Sequence, residues 1–450
     1  MKLHAEQNNI KVSIIMPSLN VVNYIDECIK SAINQTLREI EIICVDAGSN
    51  DGTCEKLQLY ANMASVPVHV IHSKIKSYGY QVNQGIRIAR GEYIAILETD
   101  DFISTEMYKT LYEIAENTKA DIIKADYDSF YSREDGSRVY TSVHLWNEEI
   151  NFYNQLINPQ DMVYLYAEDR NIWKGIYRRE FLLENDIWLN ESPGAAFQDI
   201  GFAQQALACA KKAYYIKDSF YRYRVDRDDS SIHSVHGLEY AYNEFRRLVE
   251  DRQIYDKLHC KTGLYLHMLM SFCIEFQKTI RSVDYDCDSE YVRIYFEWFT
   301  KQINASIHRG DITQGDILRY SSLWDSISGN VRQYSQELEK RDLIVHNNHK
   351  NILSCVNDKK VVVFGAGQYG QWAIDFLQRN SKEIVALYDN SEQLWNTEKY
   401  GFTVQAPCHM VCDEMKNYVY IIANKSYTEE IKSQFLNMGI PEESIFAICF

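Results

Sequence analysis

Short apolar runs separated by single amphipathic helices fill the first hundred residues, and that alternation permits few folds. The runs are residues 12–16, 40–45, 68–71 and 93–97. After the first, Ile25, Cys28, Ile29, Ala32 and Ile33 fall at i, i+3, i+4, i+7 and i+8, one apolar stripe with Asn23 placed to cap it. Strands joined by single helices imply right-handed crossovers and a mostly parallel sheet, so the expected class is α/β. Ligands of such sheets bind beyond the carboxyl ends of the strands. Three polar stretches stand there: "PSLN" (Pro17 to Asn20), "VDAGSNDGT" (Val45 to Thr53) and "ETDD" (Glu98 to Asp101).

The middle stretch is too long and too rich in carboxylates, hydroxyls and glycine for a two-residue hairpin turn, and it reads as a loop that holds something polar. Adjacent carboxylates at the end of a strand, as in "ETDD", are suited to oxygen-loving cations such as Mg2+ or Mn2+. The same pair also serves as a helix cap or turn former, and both readings stand on the motif alone.

With 450 residues the chain exceeds one ordinary core, and a net charge of −16 points away from nucleic acid as a partner. The eleven cysteines form no CxxC pair, which is expected of reduced thiols in a cytoplasmic protein. The most apolar helical run, residues 264–276, is interrupted by His267 and Ser271 and is too short to span a bilayer. The pattern divides the chain into residues 1–235, a helical and aromatic-rich stretch at 236–345 whose polar segment 337–350 serves as connector, and a fresh α/β unit at 346–450.

Taken together, the motifs of residues 10–235, "KVSIIMPSLN", "ICVDAGSNDGT", "NQGIRIARGEYIAILETDD", resemble the inverting family 2 glycosyltransferases of GT-A fold. The resemblance implies a transferase that moves a hexose or N-acetylhexosamine from a UDP-sugar to a saccharide acceptor, free or linked to lipid or protein, with Mn2+ or Mg2+ as cofactor. It implies that Pro17, Ser18 and Asn20 contact the nucleotide, and that Asp46, Gly48, Ser49 and Asp51 form the loop that recognises the base. It sets Asn83 and Asp100 at the sugar nucleotide, Asp101 on the metal, and Asp199 of "AAFQDIGF" as general base. "YRYRVDRDDSSIHS", residues 221–234, matches the loop that closes over the diphosphate, with His233 as a further metal ligand. Trp173 falls on the acceptor side, where core packing is the plainer role. Three positions depart from the family pattern: Ala47 where a second Asp is common, Val82 where a basic residue often precedes Asn83, and Gln198 where an acid is usual.

The last unit carries Gly365-x-Gly367-x-x-Gly370 between an apolar run and a helical pattern, with Asp389 at the end of the next run. That context is the one a dinucleotide fingerprint requires, and it reads as a small Rossmann-like module. Its size leaves little room for nicotinamide. Two rival functions follow: an oxidoreductase or epimerase centred on these glycines, and a non-catalytic sugar-nucleotide-binding protein. Peripheral membrane association and homo-oligomerisation stay open.

Overall fold

The computed structural model describes residues 10–133, 136–145, 152–227, 234–320, 323–357, 359–410 and 418–450. It divides into two compact units, the first ending at Val331 and the second running from Arg332 to Phe450. His233 lies outside the described residues.

Ten strands build the sheet of the first unit: β1 Val12–Ser18, β2 Ile40–Asp46, β3 Val68–His72, β4 Tyr93–Ile96, β5 Phe102–Ile103, β6 Ile122–Ser132, β7 Arg138–Val143, β8 Leu156–Ile157, β9 Gly175–Arg178 and β10 Ala213–Arg224. Their order is β3-β2-β1-β4-β9-β6-β10-β5, with β7 on β6 and β8 on β10. β3, β2, β1 and β4 are mutually parallel. β9 runs antiparallel to β4 and β6, and β6 pairs parallel with β10. The α/β class expected from the alternation of strands and helices is the class observed.

Every residue of β1 and β2 is buried, as parallel strands covered on both faces require. Helix Ile25–Ile33 lays Ile25, Cys28, Ile29 and Ala32 against them. Asn23 does not cap this helix. The chain enters it through Tyr24 without a side-chain capping bond, and Asp26 and Glu27 complement the dipole of the first turn instead. The parallel register sets Ser18 opposite Asp46 and Asp46 opposite His72, so three strand ends share one rim.

β10 corrects the expectation of a loop at the start of residues 221–234, where 221–224 are strand; residues 228–233 lie outside the described residues. Its last residues, Tyr221–Arg224, pair with Tyr127 to Phe130 of β6 and with β5, and Tyr221 is fully buried. Register shifts around Ser219 break the alternation by which a strand is recognised in sequence. The helices that follow include Gly237–Glu250, Lys261–Ser282 and Glu290–Arg309. Among the described residues, no helix is long and apolar enough to cross a membrane.

In the second unit the polar stretch 337–350 is the middle of one helix, Val331–Val356. Six strands follow: β11 Val361–Phe364, β12 Ile384–Tyr388, β13 Glu398–Lys399, β14 Phe402–Gln405, β15 Val419–Ile422 and β16 Ile445–Ala447, in the order β13-β14-β12-β11-β15-β16. All pairs but β13–β14 are parallel. Helices Gln368–Arg379 and Thr428–Asn437 cover the two faces, one with Ala373, Ile374 and Leu377, the other with Ile431 and Phe435.

Candidate active site

The first two rim loops are tied to each other by their own polar groups. Asp46 is only 1% exposed. Its Oδ1 accepts the N–H groups of Gly48 (3.0 Å) and Ser49 (2.9 Å), and its Oδ2 accepts the hydroxyls of Ser49 (2.5 Å) and Ser18 (3.2 Å). Four donors use the capacity of a carboxylate. Asp46 therefore shapes its loop in this structure rather than presenting a free oxygen. Asn20, at φ 53°, donates its N–H to Ser49 Oγ and accepts from the N–H of Asn50. Asp51 accepts from Val22 N–H (2.9 Å) and from the N–H and hydroxyl of Thr53. Burial opposes its ionisation, but these donors win and hold its carboxyl below the usual range. Gly48 and Asn20 remain exposed on the rim, with Ser49 partly so.

Two residues passed over in the sequence reading bind the loops together. Gln81, buried in "YGYQVNQGI", donates from Nε2 to the carbonyls of Ser18 (2.9 Å) and Val45 (2.6 Å), the ends of β1 and β2. Thr99 donates its hydroxyl to the carbonyl of Pro17 at 2.8 Å. Both lie in motifs already visible as polar, but only the fold shows where their side chains reach.

The third loop divides its carboxylates between two environments. Asp101 is 2% exposed; its Oδ2 accepts from Tyr221 Oη at 2.8 Å and its Oδ1 from the N–H of Arg224 at 2.7 Å. Burial, then the charge of Asp100, raises its carboxyl well above the ordinary value, against those two bonds. Asp100 is more open, and its Oδ2 pairs with Arg227 Nη1 at 3.0 Å. Arg224 donates from Nε to the carbonyl of Asp100 and lies over the rings of Tyr24 and Phe130. Trp173 is core: its ring stacks 4.1 Å from Tyr221 and 5.1 Å from Tyr223 between centroids, behind Asp101.

Glu98, the first residue of "ETDD", was missed as a separate functional group. Tyr78 donates its hydroxyl to Glu98 Oε1. Burial pushes the Glu98 carboxyl up to about 8; the bond from Tyr78 opposes this, and the charges of Asp100 and Asp199 add to it.

Asp199 sits in the first turn of helix Gln198–Cys209. Burial raises its carboxyl, while the charge of Arg170 and the N–H groups of Ile200 and of Asp199 itself pull the other way. Its charge acts on Tyr78, Glu98 and Tyr177. The segment leading to it is anchored on helix Tyr78–Ile88. Tyr78 N–H donates to Gly194 carbonyl, and Gly194 N–H to Lys76 carbonyl. Gly79 faces the Asn190 carbonyl so closely that no side chain fits between them. Gln198 braces the segment by donating to Ser192 and Gly194.

Asn83 is placed differently from the expectation. It is 1% exposed and spends its amide on this same segment, donating to the Leu189 carbonyl and Glu191 and accepting the Leu189 N–H. Val82 is buried, so the helix offers no cation there. Cations reach the "ETDD" corner instead from Arg224 at the end of β10 and from Arg227 just after it.

In the second unit Gly365 has φ +115°, and a side chain at Gly370 would collide with the Gly365 carbonyl, so helix Gln368–Arg379 approaches the turn as closely as glycine allows. Gly367 is open to added bulk. Asp389 accepts the N–H of Ala366 at 2.7 Å and of Ser391 at 2.7 Å. Its carboxylate is thus bound to the glycine turn itself.

Residues 13–178 match the family described as "Glycosyl transferase family 2", and residues 357–446 match "C2185-like, N-terminal". The cholesterol galactosyltransferase of Borreliella burgdorferi is 28% identical over 276 residues, covering 58% of this chain and 75% of that protein. Glycosyltransferase GlyG of Streptococcus pneumoniae is 30% identical over 216 residues, 47% of this chain and 70% of its own length. Among solved structures, residues 1–349 of S. aureus TarS align with a TM-score of 0.43 and 18% identity over 67% of this chain and 92% of that one. Through these sequence relatives the chain is shown to belong to glycosyl transferase family 2 and to be a glycosyltransferase.

Proposed function

We propose that this enzyme transfers a hexose or N-acetylhexosamine from a UDP-sugar to a saccharide acceptor with inversion at the anomeric carbon, in the assembly of a surface polysaccharide or glycoprotein glycan. The observation that carries the reading is the link made by Tyr78, whose hydroxyl bonds Glu98 of "ETDD" and whose N–H bonds Gly194 of the segment that leads to Asp199. An inverting displacement needs a base on one side of the anomeric carbon and a home for the diphosphate on the other. Asp199 takes the proton of the acceptor hydroxyl as its oxygen forms the new bond to the anomeric carbon. The bond from that carbon to the diphosphate breaks, and its electron pair leaves with UDP. Helix N–H groups hold the Asp199 carboxylate oriented for this transfer.

The residues present fit a divalent cation. Burial first, and then the charge of Asp100, raises Glu98 and Asp101, and a hard cation would bring opposing charge to these carboxylates with the oxygen ligands it prefers. Asp100, whose carboxylate is the open one, is the first candidate to hold it, with Glu98 beside it and Asp101 fixing the corner. When bound, the ion supplies positive charge to the diphosphate leaving group. Arg227 and Arg224 bring further positive charge to the same side. Sugar type is supported only at the level of relatives, which include a galactosyltransferase and a poly(ribitol-phosphate) beta-glucosyltransferase.

The test is UDP release from a panel of UDP-hexoses and UDP-N-acetylhexosamines with Mn2+, in the absence of acceptor. Slow release from one donor supports the reading. Release from none, with release from GDP- or dTDP-sugars instead, replaces the donor class.

A further inference from the structure

Away from the carboxylate corner, Asp46 at the end of β2, Cys54 in the first turn of helix Thr53–Met63 and His72 at the end of β3 converge. One carboxylate oxygen, one Sγ and one imidazole nitrogen lie within 4.8 Å of one another. The backbone enforces the grouping: Asp46 and His72 are partners in the parallel register, and the glycine-rich loop returns the chain to Cys54. Cys54 Sγ is 3.9 Å from His72 Nδ1. His72 is exposed and Cys54 partly so, which leaves a path from solvent. The reaction proposed for the enzyme uses neither Cys54 nor His72.

We propose that Asp46, Cys54 and His72 form a binding site for a borderline-soft divalent cation, Zn2+ above all. A thiolate and an imidazole beside one carboxylate make a donor set that zinc takes, whereas Mg2+ and Mn2+ prefer oxygen ligands throughout. Ligand bonds of about 2.3 Å to sulfur and 2.0 Å to nitrogen place those two atoms somewhat closer than 3.9 Å, a gap that rotation of two partly exposed side chains closes. At Asp46 the hydroxyl bond from Ser18, at 3.2 Å the longest of its four, is the one to yield. Water completes the tetrahedron.

The free Cys54 side chain is a thiol, and zinc takes the thiolate. Binding therefore replaces the S–H bond by an S–metal bond and releases one proton to solvent. The bound ion would tie the Val45 to Thr53 loop to β3 and to the following helix.

Full-length protein, stripped of metal and kept reduced, is titrated with Co2+, and the thiolate-to-cobalt absorption is followed in the near ultraviolet. A band that saturates at one equivalent and is bleached by Zn2+ is expected. Cys54→Ser should abolish it, His72→Ala should weaken Co2+ binding at least about tenfold, and Cys408→Ser, which alters an exposed thiol of the second unit, should leave it intact. Absence of the band in the wild-type protein, its survival in Cys54→Ser, unchanged affinity in His72→Ala, or its loss in Cys408→Ser overturns the proposal.

Discussion

Tyr221 donates its hydroxyl to Asp101 across 120 residues of sequence, at 2.8 Å and out of contact with solvent. The bond joins β10 to the loop after β4, and Arg224 closes the same carboxylate from the other side. Two neighbouring aspartates thereby separate into a buried Asp101, held by Tyr221 and Arg224, and a more open Asp100, paired with Arg227.

That separation predicts different phenotypes. Asp100→Asn should abolish Mn2+-dependent UDP binding while leaving the melting temperature near that of the parent. Asp101→Asn should lower both, and Tyr221→Phe should destabilise the fold by about 1–3 kcal/mol, the cost of a buried acceptor stripped of a partner. Calorimetry of UDP with and without chelator, paired with thermal unfolding, checks this. Equal stability of the two Asn variants would remove the distinction.

Asp199→Asn should preserve donor binding and lower turnover by about 10²–10⁴-fold, the usual contribution of a positioned base. NMR of the product should show the anomeric configuration opposite to that of the donor. Retention would reject Asp199 as base together with the single-displacement mechanism.

Gly79→Ala acts on the same residue from a distance. Its methyl group meets the Asn190 carbonyl, and a backbone neighbour cannot rotate away. Overpacking of this kind costs about 1–3 kcal/mol. Because Asn190 belongs to the segment that leads to Asp199, turnover should fall more than donor affinity, as steady-state kinetics beside UDP titration will show. Wild-type turnover would free the segment from helix Tyr78–Ile88.

The helical part of the first unit should be acid-sensitive through His267. Burial, and secondarily the charge of Arg170, lowers its imidazole to about 3 against the bond to the Tyr166 carbonyl. An unfolded histidine titrates near 6.5. The folded state therefore binds its proton later, so stability is complete above about pH 6.5 and is lost as pH falls toward 3. Over that window the wild type should lose up to about 1.4 kcal/mol per pH unit more than His267→Gln, measured by urea unfolding between about pH 6.5 and 5. Parallel slopes would show that His267 does not carry the effect.

How legible the site was depended on distance along the chain. The three rim loops could be located because each follows directly on its strand, and Gly48, Ser49 and Asp51 shape the turn they occupy. Asn83 was misplaced because its partners, Leu189 and Glu191, stand more than a hundred residues away. Glu98 was passed over because a glutamate beside two aspartates gains its character from burial against Tyr78, and sequence carries no record of burial.

The sequence by itself determined the α/β class, the rim and the family, since period, turn chemistry and motif order are local properties that survive without a partner. Tertiary structure decided how each carboxylate is held. Asp46 is enclosed by donors of its own loop and by Ser18 of β1, Asp101 by Tyr221 and Arg224 of β10, while Asp100 stays more open and pairs with Arg227. A carboxylate's role follows from its desolvation and its hydrogen-bond partners, and both exist only once β10, helix Tyr78–Ile88 and the segment before Asp199 have packed together.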